Sequence, residues 1–233
     1  MNDAAYRRAV TADERRLAER SARGRIIIID DDLEILAALR ALFELEGYVC
    51  ETYASALAYL QGLSEGPGRF PGPCCLLCDV KLPRLDGLEL QRQLGEFDDT
   101  PMLLMSGVSG APEAACAFRA GALDFLIKPL DDETLLGAVA TALAVSAERQ
   151  RACARRRELR ACLATLTERE REVARRVALG QRNLEIADAL GIALRTVKRH
   201  RHQAMEKLKA ETLVDLVHIF DESTGTGSEP DQR

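Results

Sequence analysis

Short aliphatic runs that each end at a charged side chain constrain the fold of this chain more than any other feature. The runs are Arg25–Ile29 before Asp30, Cys74–Cys78 before Asp79, and Leu123–Ile127 before Lys128. A continuous apolar run of this length is typical of a strand that is covered on both faces. Such strands occur in parallel sheets, and the carboxyl ends of parallel strands meet at one edge. The pattern therefore predicts an acidic pocket with a lysine at one edge of a parallel sheet.

Strand and helix signals alternate five times between residues 25 and 147. Further strands are predicted at Tyr48–Tyr53 and Met102–Met105, and helices around Leu33–Glu46, Ala56–Leu63, Leu88–Leu94, Glu113–Ala120 and Glu133–Val145. This alternation predicts an α/β fold, a five-stranded parallel doubly wound sheet with helices on both faces. Ligands of such sheets bind at the carboxyl ends of the strands, where Asp30, Asp79, Ser106 and Lys128 fall.

The charge of the chain is divided unevenly along its 233 residues, which are enough for two domains. Residues 25–148 hold 8 basic and 20 acidic side chains, a net charge of −12. Residues 149–220 hold 17 basic and 9 acidic side chains, a net charge of +8. A basic segment has nucleic acid as a candidate partner, and a solvent-exposed charged helix face is the alternative. Charge alone leaves both interpretations open.

The charged strand ends indicate phosphoryl chemistry. Three carboxylates in one pocket repel one another, and a hard cation such as Mg²⁺ relieves the repulsion by taking oxygen ligands. The candidates are Asp79 as nucleophile, Asp30 and Asp31 as the metal-binding pair, Lys128 as second cation, and Ser106 as hydrogen-bond donor to a phosphoryl group. An aspartate-nucleophile phosphatase is the enzyme alternative. That class needs a second Asp two residues after the nucleophile, where this chain has Lys81.

Residues 183–208 predict two helices joined by a tight turn at Gly191. The apolar positions are Leu184, Ile186, Ala187 and Leu190 in the first helix, and Leu194, Val197, Ala204 and Leu208 in the second. The other face of the second helix carries Arg195, Lys198, Arg199 and His202 at spacings of three and four. Such a face suits the major groove of DNA, where base edges offer acceptors. A plain helical hairpin with a basic exposed face would show the same pattern.

Motifs in the first half resemble those of the receiver domain of bacterial two-component response regulators. They are Ile29-Asp30-Asp31, Asp79-Val80-Lys81-Leu82-Pro83 with Asp86-Gly87, Met105-Ser106-Gly107, Ala120-Gly121-Ala122 and Phe125-Leu126-Ile127-Lys128-Pro129. The resemblance implies that Asp79 is the phospho-acceptor and that Mg²⁺ is held by Asp30, Asp31, Asp79 and the backbone carbonyl of Lys81. It further implies a switch hydroxyl at Ser106, a coupled aromatic at Phe125, a phosphate-binding Lys128 and a cis Lys128–Pro129 bond.

Motifs in the second half are similar to the LuxR-type output domain. They are Leu166-Thr167-Glu168-Arg169-Glu170-Arg171-Glu172-Val173, Asn183-Leu184-Glu185-Ile186-Ala187 and Arg195-Thr196-Val197-Lys198-Arg199-His200. The chain thus resembles NarL/FixJ-family response regulators, the FixJ branch more closely. The resemblance implies base contacts by Lys198, Arg199 and His202, and phosphate contacts by Thr196, His200 and Arg201. Ala193 stands where the family usually has a Ser that caps the recognition helix, so we expect a frayed first turn and no base contact from Arg195.

The complete prediction is a DNA-binding response regulator without enzymatic activity. Its segments are a charged extension over 1–24, a receiver over 25–147, a helical linker over 148–165, a helix-turn-helix domain over 166–220 and a disordered tail over 221–233. The implied partners are a sensor histidine kinase, promoter DNA, RNA polymerase and, on phosphorylation of Asp79, a second copy of the chain. A regulator that acts only through protein contacts is the remaining alternative.

The cysteines and the apolar segments indicate where the protein works. Seven cysteines with irregular spacing argue against a disulfide framework and favour a reducing cytoplasm. Cys75 and Cys78 form a CxxC, but on a strand they would point to opposite faces, which favours buried apolar packing over redox chemistry. The sequence contains no apolar stretch long enough for a membrane span and no signal-peptide core at its start.

Overall fold

The structure, a computed structural model, describes residues 23–65, 72–95, 100–107 and 111–224. The predicted extension, up to residue 22, and residues 225–233 of the predicted tail lie outside this range. The chain divides into two compact units that meet between Gln150 and Arg151.

The first unit is a parallel sheet covered by helices, as predicted. Its strands are β1 Arg25–Ile29, β2 Val49–Tyr53, β3 Cys74–Asp79, β4 Met102–Ser106 and β5 Asp124–Ile127. Its helices are α1 Leu33–Leu45, α2 Ala56–Glu65, α3 Gly87–Gly95, α4 Ala111–Arg119 and the start of α5 Asp132–Ala164. The strand order is β2-β1-β3-β4-β5 and all pairings are parallel. This order sets β1, β3, β4 and β5 side by side, so their carboxyl ends form one continuous edge.

Both faces of the sheet are buried, which explains why the strands are apolar without alternation. Ile26 and Ile28 belong to the core cluster on one face, together with Phe43. Ile27 and Ile29 belong to the cluster on the other face. Because successive strand residues point to opposite faces, a run of four isoleucines fills both layers at once.

Helix α5 runs unbroken from Asp132 to Ala164 and includes the stretch 148–164 of the predicted helical linker. Two hydrogen bonds fix the middle part of α5 to the first residue of β3 and to the loop just before it. The buried Ser146 hydroxyl accepts a hydrogen bond from the Cys74 amide at 3.0 Å, and the Gln150 side chain donates one to the Gly72 carbonyl at 2.6 Å. Among the helices of the described residues, this one of 33 residues included, none is long and apolar enough to cross a membrane.

The second unit is helical. After the end of α5 come α6 Glu168–Ala178, α7 Asn183–Leu190, α8 Leu194–Leu208 and α9 Leu213–Thr224. Gly191 ends α7 with φ of 64°, a left-handed conformation that permits the sharp turn into α8. Val173, Ile186, Val197 and Leu216, one residue from each helix, meet in a single core.

The predicted start of the disordered tail is wrong, because residues 221–224 form the last turn of α9. Two contacts hold this turn. Glu222 accepts a hydrogen bond from the Arg155 guanidinium at 2.6 Å, and the Ser223 hydroxyl donates one to the Phe220 carbonyl at 2.8 Å. The polar composition of this stretch therefore reflects an exposed helix end.

Candidate functional site

The side chains predicted at the strand ends meet at the carboxyl edge of the sheet. Asp30 follows β1, Asp79 ends β3, Ser106 ends β4 and Lys128 follows β5. Asp30, Asp79 and Ser106 are buried, with exposed fractions of 1%, 6% and 1%. Buried carboxylates need partners, and here the partner is a cation.

Lys128 bridges the two buried carboxylates. Its Nζ lies 2.7 Å from Asp30 Oδ2 and 2.7 Å from Asp79 Oδ1. Burial alone would lower the pKa of this ammonium, but the hydrogen bonds and negative charges of Asp30 and Asp79 outweigh it and raise the pKa above its ordinary value. Lys128 therefore stays charged at neutral pH and neutralises much of the pocket.

Backbone amides complete the coordination of these carboxylates. The Asp32 amide donates to Asp30 Oδ1 at 3.0 Å, and the Lys81 amide donates to Asp79 Oδ2 at 2.7 Å. All four oxygens of the pair thus accept a hydrogen bond. Asp31 is exposed, while Asp32 caps α1 by accepting from the Glu34 amide at 2.8 Å.

The backbone beside Asp79 is held by a close approach of Gly87. The Gly87 amide donates to the Val80 carbonyl at 3.0 Å. A Cβ at this position would lie 2.5 Å from the Asp79 carbonyl oxygen, closer than real contacts allow. Gly87 is therefore required by the space beside the carboxylate, although its φ lies outside the left-handed region.

The Ser106 hydroxyl donates a hydrogen bond to Glu113 Oε2 on the first turn of α4, at 3.3 Å. The carbonyl of Ser106 accepts from the Lys128 amide at 2.8 Å.

Phe125 on β5 is half-buried and packs against the core cluster on the side of the sheet that holds Leu104. The Lys128–Pro129 peptide bond is cis, as the resemblance implies.

Helix α8 presents the predicted basic face. Arg195, Lys198, Arg199 and His202 are exposed, while Val197, Ala204 and Leu208 on the opposite side are buried. Thr196, His200 and Arg201 are half-buried. The Arg201 guanidinium donates to Asn183 Oδ1 at 3.2 Å, which ties α8 to the start of α7.

Helix α8 lacks a side-chain cap, because the side chain of Ala193 at the N-cap has no hydrogen-bonding atom. Its first turn is nevertheless closed by the Ala193 carbonyl, which accepts from the Thr196 and Val197 amides at 2.8 and 3.2 Å. The missing cap is confirmed, and fraying of this turn stays a prediction.

Family models match both units of the chain. Residues 26–140 match the response regulator receiver domain, and residues 164–220 match the LuxR family of bacterial regulatory proteins. The chain belongs to the NarL/FixJ family of response regulators. It is thus a two-component response regulator with a LuxR-type DNA-binding domain, in a family of transcription regulators and not of enzymes.

Named relatives are similar over most of their length. The response regulator protein TmoT of Ectopseudomonas mendocina is 37% identical over 196 residues, 83% of this chain and 86% of the relative. The transcriptional regulatory protein FixJ of Azorhizobium caulinodans is 36% identical over 82% of this chain and 89% of its own. Among solved structures, the response regulator StyR has a TM-score of 0.72 and 34% identity, and covers 86% of this chain and 100% of StyR. Full-length FixJ from B. japonicum has a TM-score of 0.52 and 30% identity, and covers 88% of this chain and 98% of FixJ.

Receiver domains generally bind Mg²⁺ at the phosphorylation site, and the residues of this response regulator fit such an ion. Mg²⁺ prefers oxygen ligands and takes one or two carboxylates together with waters. Asp30 and Asp79 offer buried carboxylates, and the exposed Asp31 directly follows Asp30 in the chain. Within the described ranges, no three acidic, histidine or cysteine side chains form a closed metal-binding cluster.

Two contacts of this response regulator were not predicted from its sequence. Glu113 had been assigned only to a helix, and its contact with Ser106 spans a stretch whose path the sequence does not fix. The second is the pair of Glu170 and Lys207, whose Nζ lies 2.6 Å from Glu170 Oε2. Glu170 is buried and closes a capping box at the start of α6 by accepting from the Thr167 amide at 2.8 Å. The capping box was a signal for Glu170, but none pointed to Lys207.

The CxxC cysteines occupy opposite layers of the receiver core, as their spacing on a strand predicts. Cys75 packs on the face that holds Ile26, and Cys78 on the face that holds Ile27. Burial raises the pKa of both thiols above the ordinary value, and the neighbouring Asp79 raises that of Cys78 further. A protonated buried thiol is a poor nucleophile, so this geometry favours packing over redox chemistry.

Proposed function

We propose that Asp79 accepts a phosphoryl group from a partner histidine kinase and that this event controls dimerisation and promoter binding. The observation that carries the proposal is the contact of Lys128 Nζ with both Asp30 and Asp79 at 2.7 Å. A buried carboxylate beside a fixed ammonium and a second carboxylate fits a site that receives a phosphoryl group together with a divalent cation.

In the transfer step, an oxygen of Asp79 attacks phosphorus while the bond to the kinase's histidine nitrogen breaks. The Lys128 ammonium, which contacts the Asp79 carboxylate, would then stabilise the negative charge on the phosphoryl oxygens. Mg²⁺, held by Asp30, Asp31, Asp79 and the carbonyl of Lys81, would supply further positive charge at those oxygens. The Lys81 amide, already bonded to Asp79 Oδ2, keeps the carboxylate oriented.

The proposed response to phosphorylation begins at Ser106. Its hydroxyl turns to the phosphoryl group, and Phe125, now half-buried, turns inward to fill the vacated space. These changes shift an existing equilibrium toward a state with an altered surface at α4, β5 and α5. We propose that this surface pairs with a second copy of the chain.

The exposed side chains of α8 support a proposed set of DNA contacts. Lys198, Arg199 and His202 are exposed on the outer face and are proposed to read base edges. Thr196, His200 and Arg201 are half-buried beside this face and are proposed to touch phosphates. Two recognition helices in a dimer would read two related half-sites.

Transcription control through promoter DNA makes RNA polymerase the further proposed partner. We also propose a cytoplasmic location, because promoter DNA and RNA polymerase reside there and the irregular spacing of the seven cysteines argues against a disulfide framework.

The test uses the full-length protein with acetyl phosphate and Mg²⁺. Wild type is expected to gain one phosphoryl group by intact mass, to dimerise in sedimentation velocity and to bind a fragment of its own promoter region more tightly. Asp79→Asn should lose all three responses. Glu46→Gln, which changes an exposed carboxylate just after the end of α1 and outside the α4, β5 and α5 surface, is the matched control and should keep them.

Two results would contradict the proposal. Dimerisation and DNA binding by Asp79→Asn in response to acetyl phosphate would remove Asp79 as the phospho-acceptor. An unchanged footprint with Lys198→Ala would remove that residue from the base-reading set.

A further inference from the structure

The buried Ser106 hydroxyl, which the proposed switch requires, is already engaged by a carboxylate. It donates to Glu113 Oε2 at 3.3 Å, across the gap between the end of β4 and the first turn of α4. Ser106 is 1% exposed and Glu113 is half-buried, so water competes weakly for this contact. Nothing in the proposed phosphorylation chemistry uses Glu113.

A serine hydroxyl has a single proton to donate. An ionised carboxylate only accepts hydrogen bonds, and so does a phosphoryl group on Asp79. The bond to Glu113 and a bond to the phosphoryl group therefore exclude each other. Each molecule that commits Ser106 to the phosphoryl group must first release Glu113.

Electrostatic repulsion also disfavours the contact of Glu113 with Ser106 once Asp79 is phosphorylated. Phosphorylation of Asp79 adds negative charge at the edge of the sheet where Ser106 lies, and the Glu113 carboxylate is one hydrogen bond away from that residue. Two anions that converge on one hydroxyl repel each other, and the low local dielectric strengthens the repulsion.

We propose that Glu113 is a positioning residue that holds Ser106 in the unphosphorylated arrangement and so sets the threshold of the switch. The inference rests on the proposed function of Asp79 and deepens it. Release of Glu113 would also free the first turn of α4, which belongs to the surface that is proposed to pair in the dimer. The contact thus opposes activation from a position outside the phosphoryl pocket.

The test measures how tightly the full-length protein binds beryllofluoride, a phosphoryl mimic, in the presence of Mg²⁺. Binding is followed by nuclear magnetic resonance of backbone amides and by dimer formation in sedimentation. Glu113→Ala should tighten apparent binding by about fivefold, less than is usual for a hydrogen bond to a charged acceptor because 3.3 Å is long. Glu113→Gln keeps an acceptor and should stay closer to wild type than Glu113→Ala.

Two further variants separate the hydrogen bond from other effects. In a Ser106→Ala background, Glu113→Ala should change beryllofluoride binding much less than in wild type, because the donor is gone. Glu46→Ala removes an exposed carboxylate just after the end of α1, outside the surface that is proposed to pair, and should leave binding unchanged. Unfolding by urea, measured in parallel, shows that each variant is folded.

The outcomes distinguish this inference from the proposed function. Wild type that binds beryllofluoride, with Glu113→Ala equal to it or weaker, overturns the inference alone. An equal gain from Glu113→Ala with and without the Ser106 hydroxyl also overturns it, because charge alone would then act. Wild type that fails to bind beryllofluoride with Mg²⁺ overturns both the function of Asp79 and the role of Glu113.

Discussion

Gly87→Ala is the substitution with the sharpest expected effect on the receiver domain. The added Cβ would lie 2.5 Å from the carbonyl oxygen of Asp79, and the two atoms must separate by at least half an ångström to reach the 3.0 Å below which real Cβ contacts are essentially never found. The Gly87 amide is bonded to the Val80 carbonyl, so the glycine cannot move away without losing that bond. Overpacking of this kind costs about 1–3 kcal/mol of unfolding free energy.

The same substitution at Gly137 is the matched control. Gly137 is exposed in the second turn of α5, and a Cβ there would meet nothing within 4 Å. Because alanine is the better helix former, Gly137→Ala should stabilise the protein by up to about 1 kcal/mol. The two glycine-to-alanine changes are thus expected to have opposite signs.

The assay combines urea unfolding with hydrogen exchange of amides in β1, β3 and β4, which reports on the receiver domain alone. Phosphorylation by acetyl phosphate is measured on the same samples. Gly87→Ala should slow phosphorylation because the backbone of Asp79 is displaced, and Gly137→Ala should leave the rate unchanged. If Gly87→Ala proved as stable and as readily phosphorylated as Gly137→Ala, the close approach beside Asp79 would not be a constraint.

Three further substitutions test the structure elsewhere. Ala193→Ser supplies the missing cap of α8 and should stabilise the output domain by about 1 kcal/mol in thermal unfolding; no gain would mean that the first turn is already firm. The hydrogen bond from Lys207 lowers the pKa of Glu170 in the folded domain. The contribution of this pair to folding stability is therefore fully present above the ordinary pKa of a glutamate and is lost as pH falls through the lowered pKa of Glu170. Lys207→Met should therefore destabilise the domain at pH 7 and make its unfolding free energy fall less steeply as the pH is lowered. A dependence of unfolding free energy on acid pH identical to wild type would contradict this. Gln91 is buried with its Oε1 unpaired, so Gln91→Met should raise the urea midpoint, and a lower midpoint would count against it.

The sequence predicted that the charged side chains at the strand ends lie at one edge of the sheet, because this placement follows from the topology. Asp30, Asp79, Ser106 and Lys128 each stand at the end of an apolar run, and parallel strands bring such ends to one edge. No knowledge of side-chain packing was needed. The buried face of α8 was predicted for a similar reason, since helical spacing alone separates Val197 from the basic residues.

Contacts between distant side chains could not be predicted in this way. The pair of Glu170 and Lys207 lies 37 residues apart in the chain and depends on how α6 and α8 pack. The end of α9 was misjudged because its polar residues look disordered by composition. The ion pair of Arg155 with Glu222, 67 residues apart, supplies the stabilisation that composition does not show.

Three consecutive aspartates after β1 perform three different tasks, although they look interchangeable. Asp30 is turned into the pocket toward Lys128, Asp31 is exposed, and Asp32 begins α1 by accepting from backbone amides. Loss of a single codon from this run would leave a plausible acidic motif and yet assign each remaining aspartate to the wrong task. Insertions and deletions between Ile29 and Leu33 should therefore be tolerated poorly. An alignment of orthologues should show gaps elsewhere in the chain before it shows one between these two residues.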